Sequence, residues 1–164
     1  MMRLKMYLLA ALPILLLSNS VVAQSPPAKV NIRLLPSPAE NRRMEVTVTS
    51  QSDQSILMPP KNGFYILNVN FPYTDGIFEA TQKTSGNKDS VVVIINKCGL
   101  LVPNEGKRTM DTLHRGQAAS YNYQFACYTE NFTPGHSYKV RLCFKLSNYN
   151  KLPDVYSNWI DINP

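Results

Sequence analysis

Side chains able to carry out chemistry are few in this 164-residue chain, and none stands in a catalytic spacing. A serine hydrolase holds its nucleophile on a tight Gly-x-Ser-x-Gly elbow, and no such pentapeptide occurs. A cysteine nucleophile needs a histidine as base. The two histidines, His114 and His136, each fall in a predicted turn, where an imidazole meets water; Cys127 and His136 are near in sequence without forming a motif. Zinc wants ligands at short spacing, as in Cys-x-x-Cys or His-x-x-x-His, and neither is found. Glycoside hydrolysis needs two carboxylates flanking a cleft. Of the 11 acidic residues, Glu40, Asp53, Asp75 and Glu130 fall in predicted loops, but their spacing selects no pair. With only 7 glycines, no phosphate-cradling loop appears. The expectation is a protein that is not an enzyme and uses neither cofactor nor metal, the further alternative being a hydrolase whose site the sequence does not display.

Binding is a better prospect. Tyr138 to Leu146 alternates, with Tyr138, Val140, Leu142, Phe144 and Leu146 on one parity and Lys139, Arg141, Cys143 and Lys145 on the other. Trp159 falls on the outward parity of the expected antiparallel neighbour. Tryptophan beside a cation on an exposed sheet forms a cation–π pair worth about 0.5–1 kcal/mol. Exposed tryptophan also anchors many interfaces. Lys139, Arg141 and Trp159 are therefore the expected contact face for a protein or a glycan, with Tyr128 and Tyr149 in adjoining loops. A second candidate is the segment Ile56 to Asn62. There Met58, Pro59, Pro60 and Lys61 would form a stiff loop able to inhibit a protease or other hydrolase, because prolines reduce the entropy lost on binding. Asn131-Phe132-Thr133 fits the N-glycosylation triplet. Asp111-Thr112-Leu113 resembles an O-glycosylation acceptor of exported bacterial proteins.

The elements that would hold these groups are strands. Short apolar runs broken by Pro, Gly, Asn and Asp begin at Val30, and no 3.6-residue apolar period persists, so almost no helix is expected. Val30 to Leu35 and Met44 to Ser50 open the series; in the second, Met44, Val46 and Val48 alternate with Glu45, Thr47 and Thr49. Phe64 to Phe71 is expected as a central strand and Ile77 to Thr84 as a weaker edge strand. Val91 to Ile95 is expected as a buried strand because β-branched residues suit a pleated sheet. Thr109 to Leu113 is a short candidate. Ala119 to Cys127, Tyr138 to Leu146 and Val155 to Ile162 close the chain, the last with Tyr156, Ile160 and Ile162 on its apolar parity.

Arg3 and Lys5, the apolar run Tyr7 to Leu17 and the small residues before Gln24 have the three-part pattern of a secretory signal peptide cleaved after Ala23. The apolar run is shorter than the roughly 20 residues a spanning helix needs, and no second run is long enough. No cysteine near the cleavage point suggests a lipid anchor. The expected organisation is a signal peptide at 1–23, a flexible leader at 24–29 and one domain at 30–164, acting in the periplasm, at the cell surface or outside the cell. Removing Arg3 and Lys5 from the 17 Lys+Arg leaves 15 against 11 acids, a mildly basic balance without a clustered stripe, so no nucleic-acid partner is expected. Export permits a disulfide. Three cysteines, Cys98, Cys127 and Cys143, allow three pairings. Cys127 with Cys143 is the nearest pair, although the strand register sets them on opposite parities.

Leu113-x-x-Gly116, the alternating strand after it, and Phe132-x-Pro134-Gly135-x-x-Tyr138-x-Val140-x-Leu142 resemble the late strands of immunoglobulin-like and fibronectin-III-like domains. The closing Tyr156-Ser157-Asn158-Trp159-Ile160 is similar to the last strand of exported bacterial domains of that kind. The resemblance covers Leu113 to Pro164 and extends to the first half only in strand count. It implies an all-β, immunoglobulin-like antiparallel β-sandwich of seven to nine strands. It also implies a tyrosine corner at Tyr138, whose hydroxyl would bond back to the preceding turn. Val140 stands where immunoglobulin domains carry a cysteine, so their inter-sheet disulfide is not implied. A scaffold of this type does not fix a function.

Overall fold

A computed structural model describes residues 25–36, 42–61, 64–66, 74–83, 89–94 and 109–164. Its strands are β1 (Ala28–Leu34), β2 (Arg43–Ser50), β3 (Ile56–Met58), β4 (Gly76–Gln82), β5 (Ser90–Val92), β6 (Asp111–Leu113), β7 (Ala118–Gln124), β8 (Tyr138–Phe144), β9 (Val155–Tyr156) and β10 (Ile160–Ile162). One helical turn, α1 (Ala126–Thr129), and a 3-10 turn at Leu146–Asn148 interrupt them. The expected signal peptide lies outside the described residues, as do Glu40, Cys98 and most of the strand expected at Phe64 to Phe71. Strand β1 starts at Ala28, inside the segment read as a leader.

Among the described residues the strands form three sheets, ordered β1-β2-β7, β10-β8-β4-β5 with β9 also beside β8, and β3-β6. Every strand pairing is antiparallel. Alternation explains how they pack. In β2, Met44, Val46 and Val48 point inward and are fully buried, while Glu45 and Thr47 are half-buried on the opposite face. In β8, Tyr138, Val140, Leu142 and Phe144 are buried and Lys139 and Arg141 are half-buried. These inward side chains join Ala28, Val30 and Ile32 of β1, Phe78 of β4 and Tyr121 of β7 in one hydrophobic cluster. The chain is therefore all-β, with its sheets sharing one core. No helix among the described residues is long and apolar enough to cross a membrane.

Four local expectations are corrected. Strand β4 is interior, between β8 and β5, and its full length pairs with β8 from Gly76↔Phe144 to Gln82↔Tyr138. The Val/Ile run is only half-covered: Val91 is 84% and Val93 72% exposed, whereas Ile94 is buried. β-branched residues favour the pleat, but they do not say how many faces of the strand are covered. Strand β7 stops at Gln124, and the chain then coils into α1, which takes Cys127 out of the strand. The last strand breaks between β9 and β10, which reverses its parity: Val155 is buried and Tyr156 is exposed.

Two glycines serve the geometry directly. Gly135 has φ +82°, in the turn before β8. A Cβ at Gly76 would lie 2.7 Å from Leu142 Cδ1, so glycine lets β4 start close against β8.

Candidate functional site

The outward face of the β10-β8-β4-β5 sheet carries Glu79, Lys139 and Arg141, with Tyr156 and Trp159 exposed beside them. Register sets Arg141 opposite Glu79, Lys139 between Thr81 and Asp161, and Cys143 between Ile77 and Tyr156. Ile160 pairs with Val140, which brings Trp159 beside Arg141. The Arg141 Nε donates to Glu79 Oε2 at 2.8 Å, and Nη2 lies 2.7 Å from the same oxygen. This anchors a guanidinium whose carbon sits 4.1 Å from the centre of the Tyr156 ring and 4.6 Å from the Trp159 ring. Planar guanidinium stacks on aromatic faces more readily than a lysine ammonium does. The two rings remain 49% and 41% exposed. Arg141 and Trp159 are thus brought together as expected of their parity. Lys139 lies across from Asp161, which accepts from Lys83 Nζ at 3.0 Å.

Sequence reasoning missed two members of this cluster. Tyr156 falls on the apolar parity of an unbroken strand, and only the break at residues 157–159 turns it outward. Glu79 becomes visible only once β4 is known to pair with β8 in this register.

The Cys127–Cys143 pairing, the nearest in sequence, is not formed. Cys127 is disulfide-bonded and Cys143 is a free, buried thiol. Cys143 faces away from the core under Tyr156, on β8, while Cys127 has left its strand for α1. The remaining cysteine, Cys98, lies outside the described residues. Burial pushes the Cys143 thiol up from its ordinary value, against the pull of Lys145, which disfavours the reactive thiolate at neutral pH.

The segment expected to form an inhibitory loop is pinned instead. Ile56–Met58 is a strand, Met58 and Pro59 are buried, and Pro60 is half-buried. The Tyr121 hydroxyl donates to the Pro59 carbonyl at 2.9 Å, and the Asn150 carboxamide bonds both the N–H and the C=O of Leu57. Only Lys61 of the four candidates is exposed. Tyr128 and Tyr149 likewise turn inward from the contact face. Tyr128 is 1% exposed and donates to the Ile66 carbonyl, and Tyr149 donates to the buried Asp75 carboxylate. The Tyr138 hydroxyl accepts from the Thr133 N–H at 2.9 Å, five residues upstream, which is the contact a tyrosine corner makes.

The two glycosylation triplets differ in exposure. Asn131 Nδ2 donates to the Tyr128 carbonyl at 2.9 Å and Phe132 is buried, whereas Thr112 is exposed on β6. His114 shares a 3.0 Å bond with Ser55 Oγ. Among the described residues no three His, Cys, Asp or Glu side chains converge as a metal site would require.

Beside the aromatic cluster runs an open groove of about 680 Å³ between β1 and the segment around β9. Lys29, Asn31, Gln51, Asp154, Tyr156 and Asn158 contribute to its lining. Val30 bridges Ser157 in parallel. The Asn158 carboxamide clamps the two segments, its Oδ1 accepting from the Ile32 N–H at 2.8 Å and its Nδ2 donating to the Ile32 carbonyl at 3.1 Å. Asp154 is engaged by Lys145 Nζ at 2.7 Å and by the Ser147 hydroxyl and N–H. Burial raises the Asp154 carboxyl, but the bonds from Lys145 and Ser147 outweigh it and hold the group below its ordinary value. Neither the family models nor the curated proteins compared with this chain give a match.

Proposed function

We propose that this chain is a non-catalytic recognition module, exported and working outside the cytoplasm, which binds through the outward face of the β10-β8-β4-β5 sheet. The observation that carries this reading is the Arg141 guanidinium held by Glu79 between two half-exposed rings, Tyr156 and Trp159. Tryptophan, tyrosine and arginine are the side chains most enriched at binding hot spots. Their orientation is fixed before a partner arrives, so less entropy is lost on association. The signal-like residues Met1 to Ala23 support export. We further propose an immunoglobulin-like β-sandwich as the architecture. The order β1-β2-β7 against β10-β8-β4-β5, the single shared core and the Tyr138–Thr133 bond support it.

The test is a printed array of oligosaccharides and peptides probed with the mature wild-type chain and with Trp159→Ala. At least one spot retained by the wild type should lose tenfold or more in Trp159→Ala. The melting temperature should move by no more than about 5 °C, since the ring is already half in water. Identical array profiles for the two proteins would overturn the proposal.

A further inference from the structure

We infer that the groove between β1 and β9 is an oligosaccharide subsite continuous with the aromatic cluster, an inference that rests on the recognition-module reading. The groove is open, and its volume of about 680 Å³ falls in the usual range of ligand sites. The lining matches the chemistry of sugars. Asn31 and Gln51 are exposed, and among the described residues neither side chain has a hydrogen-bond partner. Each carboxamide donates and accepts, as each sugar hydroxyl does. Tyr156 adds aromatic surface to the lining, its ring held in place by Arg141 stacked on it. Lys29 adds a donor without a partner among the described residues.

The groove is preformed and poorly suited to a peptide strand. Strand addition needs free N–H and C=O groups along an edge. Here Ala28 and Val30 are 0% and 3% exposed, Val30 is bridged to Ser157, and both backbone groups of Ile32 are taken by Asn158. What remains open is side-chain amide, ammonium and aromatic surface.

Calorimetric titration of the mature chain with cellohexaose, chitohexaose, mannohexaose and an extended hexapeptide tests the assignment. At least one hexasaccharide should bind by about 1 mM. The double variant Asn31→Ala/Gln51→Ala, both positions being exposed, should weaken it tenfold or more at unchanged melting temperature. The inference fails if no hexasaccharide gives heat up to about 5 mM, if the double variant binds as the wild type does, or if only the peptide binds. A ligand lost in Trp159→Ala but kept by the groove double variant would leave the recognition face standing and remove the groove. A ligand lost in neither would remove both.

Discussion

Replacing Tyr138 by phenylalanine removes one oxygen and keeps the ring. The ring is 2% exposed and packs 4.9 Å from the Phe132 ring, so Tyr138→Phe preserves its apolar burial. What is lost is the acceptor for the Thr133 N–H at 2.9 Å. A protein hydrogen bond contributes about 0.5–1.5 kcal/mol net, and a stranded buried donor costs about 1–3 kcal/mol. Thr133 is exposed, so water reaches part of this donor and the lower end applies. The expected loss is about 1–1.5 kcal/mol, or roughly 3–6 °C in melting temperature for a domain of this size. Tyr138→Ala also opens a cavity and should cost about 3–5 kcal/mol. Urea titration of the three proteins separates these values if the denaturant slope is constant. A Tyr138→Phe protein as stable as wild type would show that the corner bond does not hold the turn to β8. One as damaged as Tyr138→Ala would show that the hydroxyl carries far more than one bond.

Alkylation in denaturant without reductant should label Cys143 and leave Cys127 unlabelled by peptide mass spectrometry; labelling of Cys127 would contradict the assignment. Without denaturant Cys143 should react slowly, since it is buried and its thiol is raised. The Lys145–Asp154 pair should contribute about 0.5–1 kcal/mol. The lowered Asp154 value makes that contribution present above the unfolded carboxylate range and lost as pH falls through the folded value. The Lys145 value is raised, first by its bond to Asp154, so on the alkaline side the contribution is lost as pH rises through the folded lysine value. The stability difference between wild type and Asp154→Asn should therefore be greatest from roughly pH 4 to pH 10 and shrink outside it; a difference independent of pH would contradict the pairing. Gly76→Ala should cost about 1–3 kcal/mol in chemical denaturation, because its methyl would meet the buried Leu142 Cδ1 at 2.7 Å and the Cys143 carbonyl oxygen at 3.3 Å; an unchanged midpoint would mean that the Leu142 side chain turns aside without cost.

The sequence was most legible where alternation ran unbroken. Met44, Val46 and Val48, and Tyr138, Val140, Leu142 and Phe144, could be placed inward because a period of two decides which side chains share a face. The same period put Arg141 and Trp159 on a common outer surface. It failed wherever the chain left the pleat: at Ala126, where α1 begins, and at residues 157–159, where the parity of Tyr156 reverses. Periodicity also carries no pairing information. The Glu79–Arg141 bond, the interior place of β4 and the Asn158 clamp on Ile32 depend on which strands become neighbours across 62 to 126 residues of chain. Met58 and Pro59 misled for a related reason. A proline pair stiffens a loop, but the pairing of β3 with β6, the Tyr121 hydroxyl and the Asn150 carboxamide, all distant in sequence, draw that segment into the core.

The most direct test of the account is the NMR environment of the Arg141 side chain. A guanidinium 4.1 and 4.6 Å from two ring centres lies in their shielding region, so its Hδ and Hε resonances should be shifted upfield relative to those of Arg33 and Arg115. The shift should fall in Trp159→Ala and again in Tyr156→Ala. Arg141 resonances at ordinary solvent-exposed positions, unmoved by either substitution, would mean that the stacked cluster does not exist in solution, and the recognition face built on it would be lost.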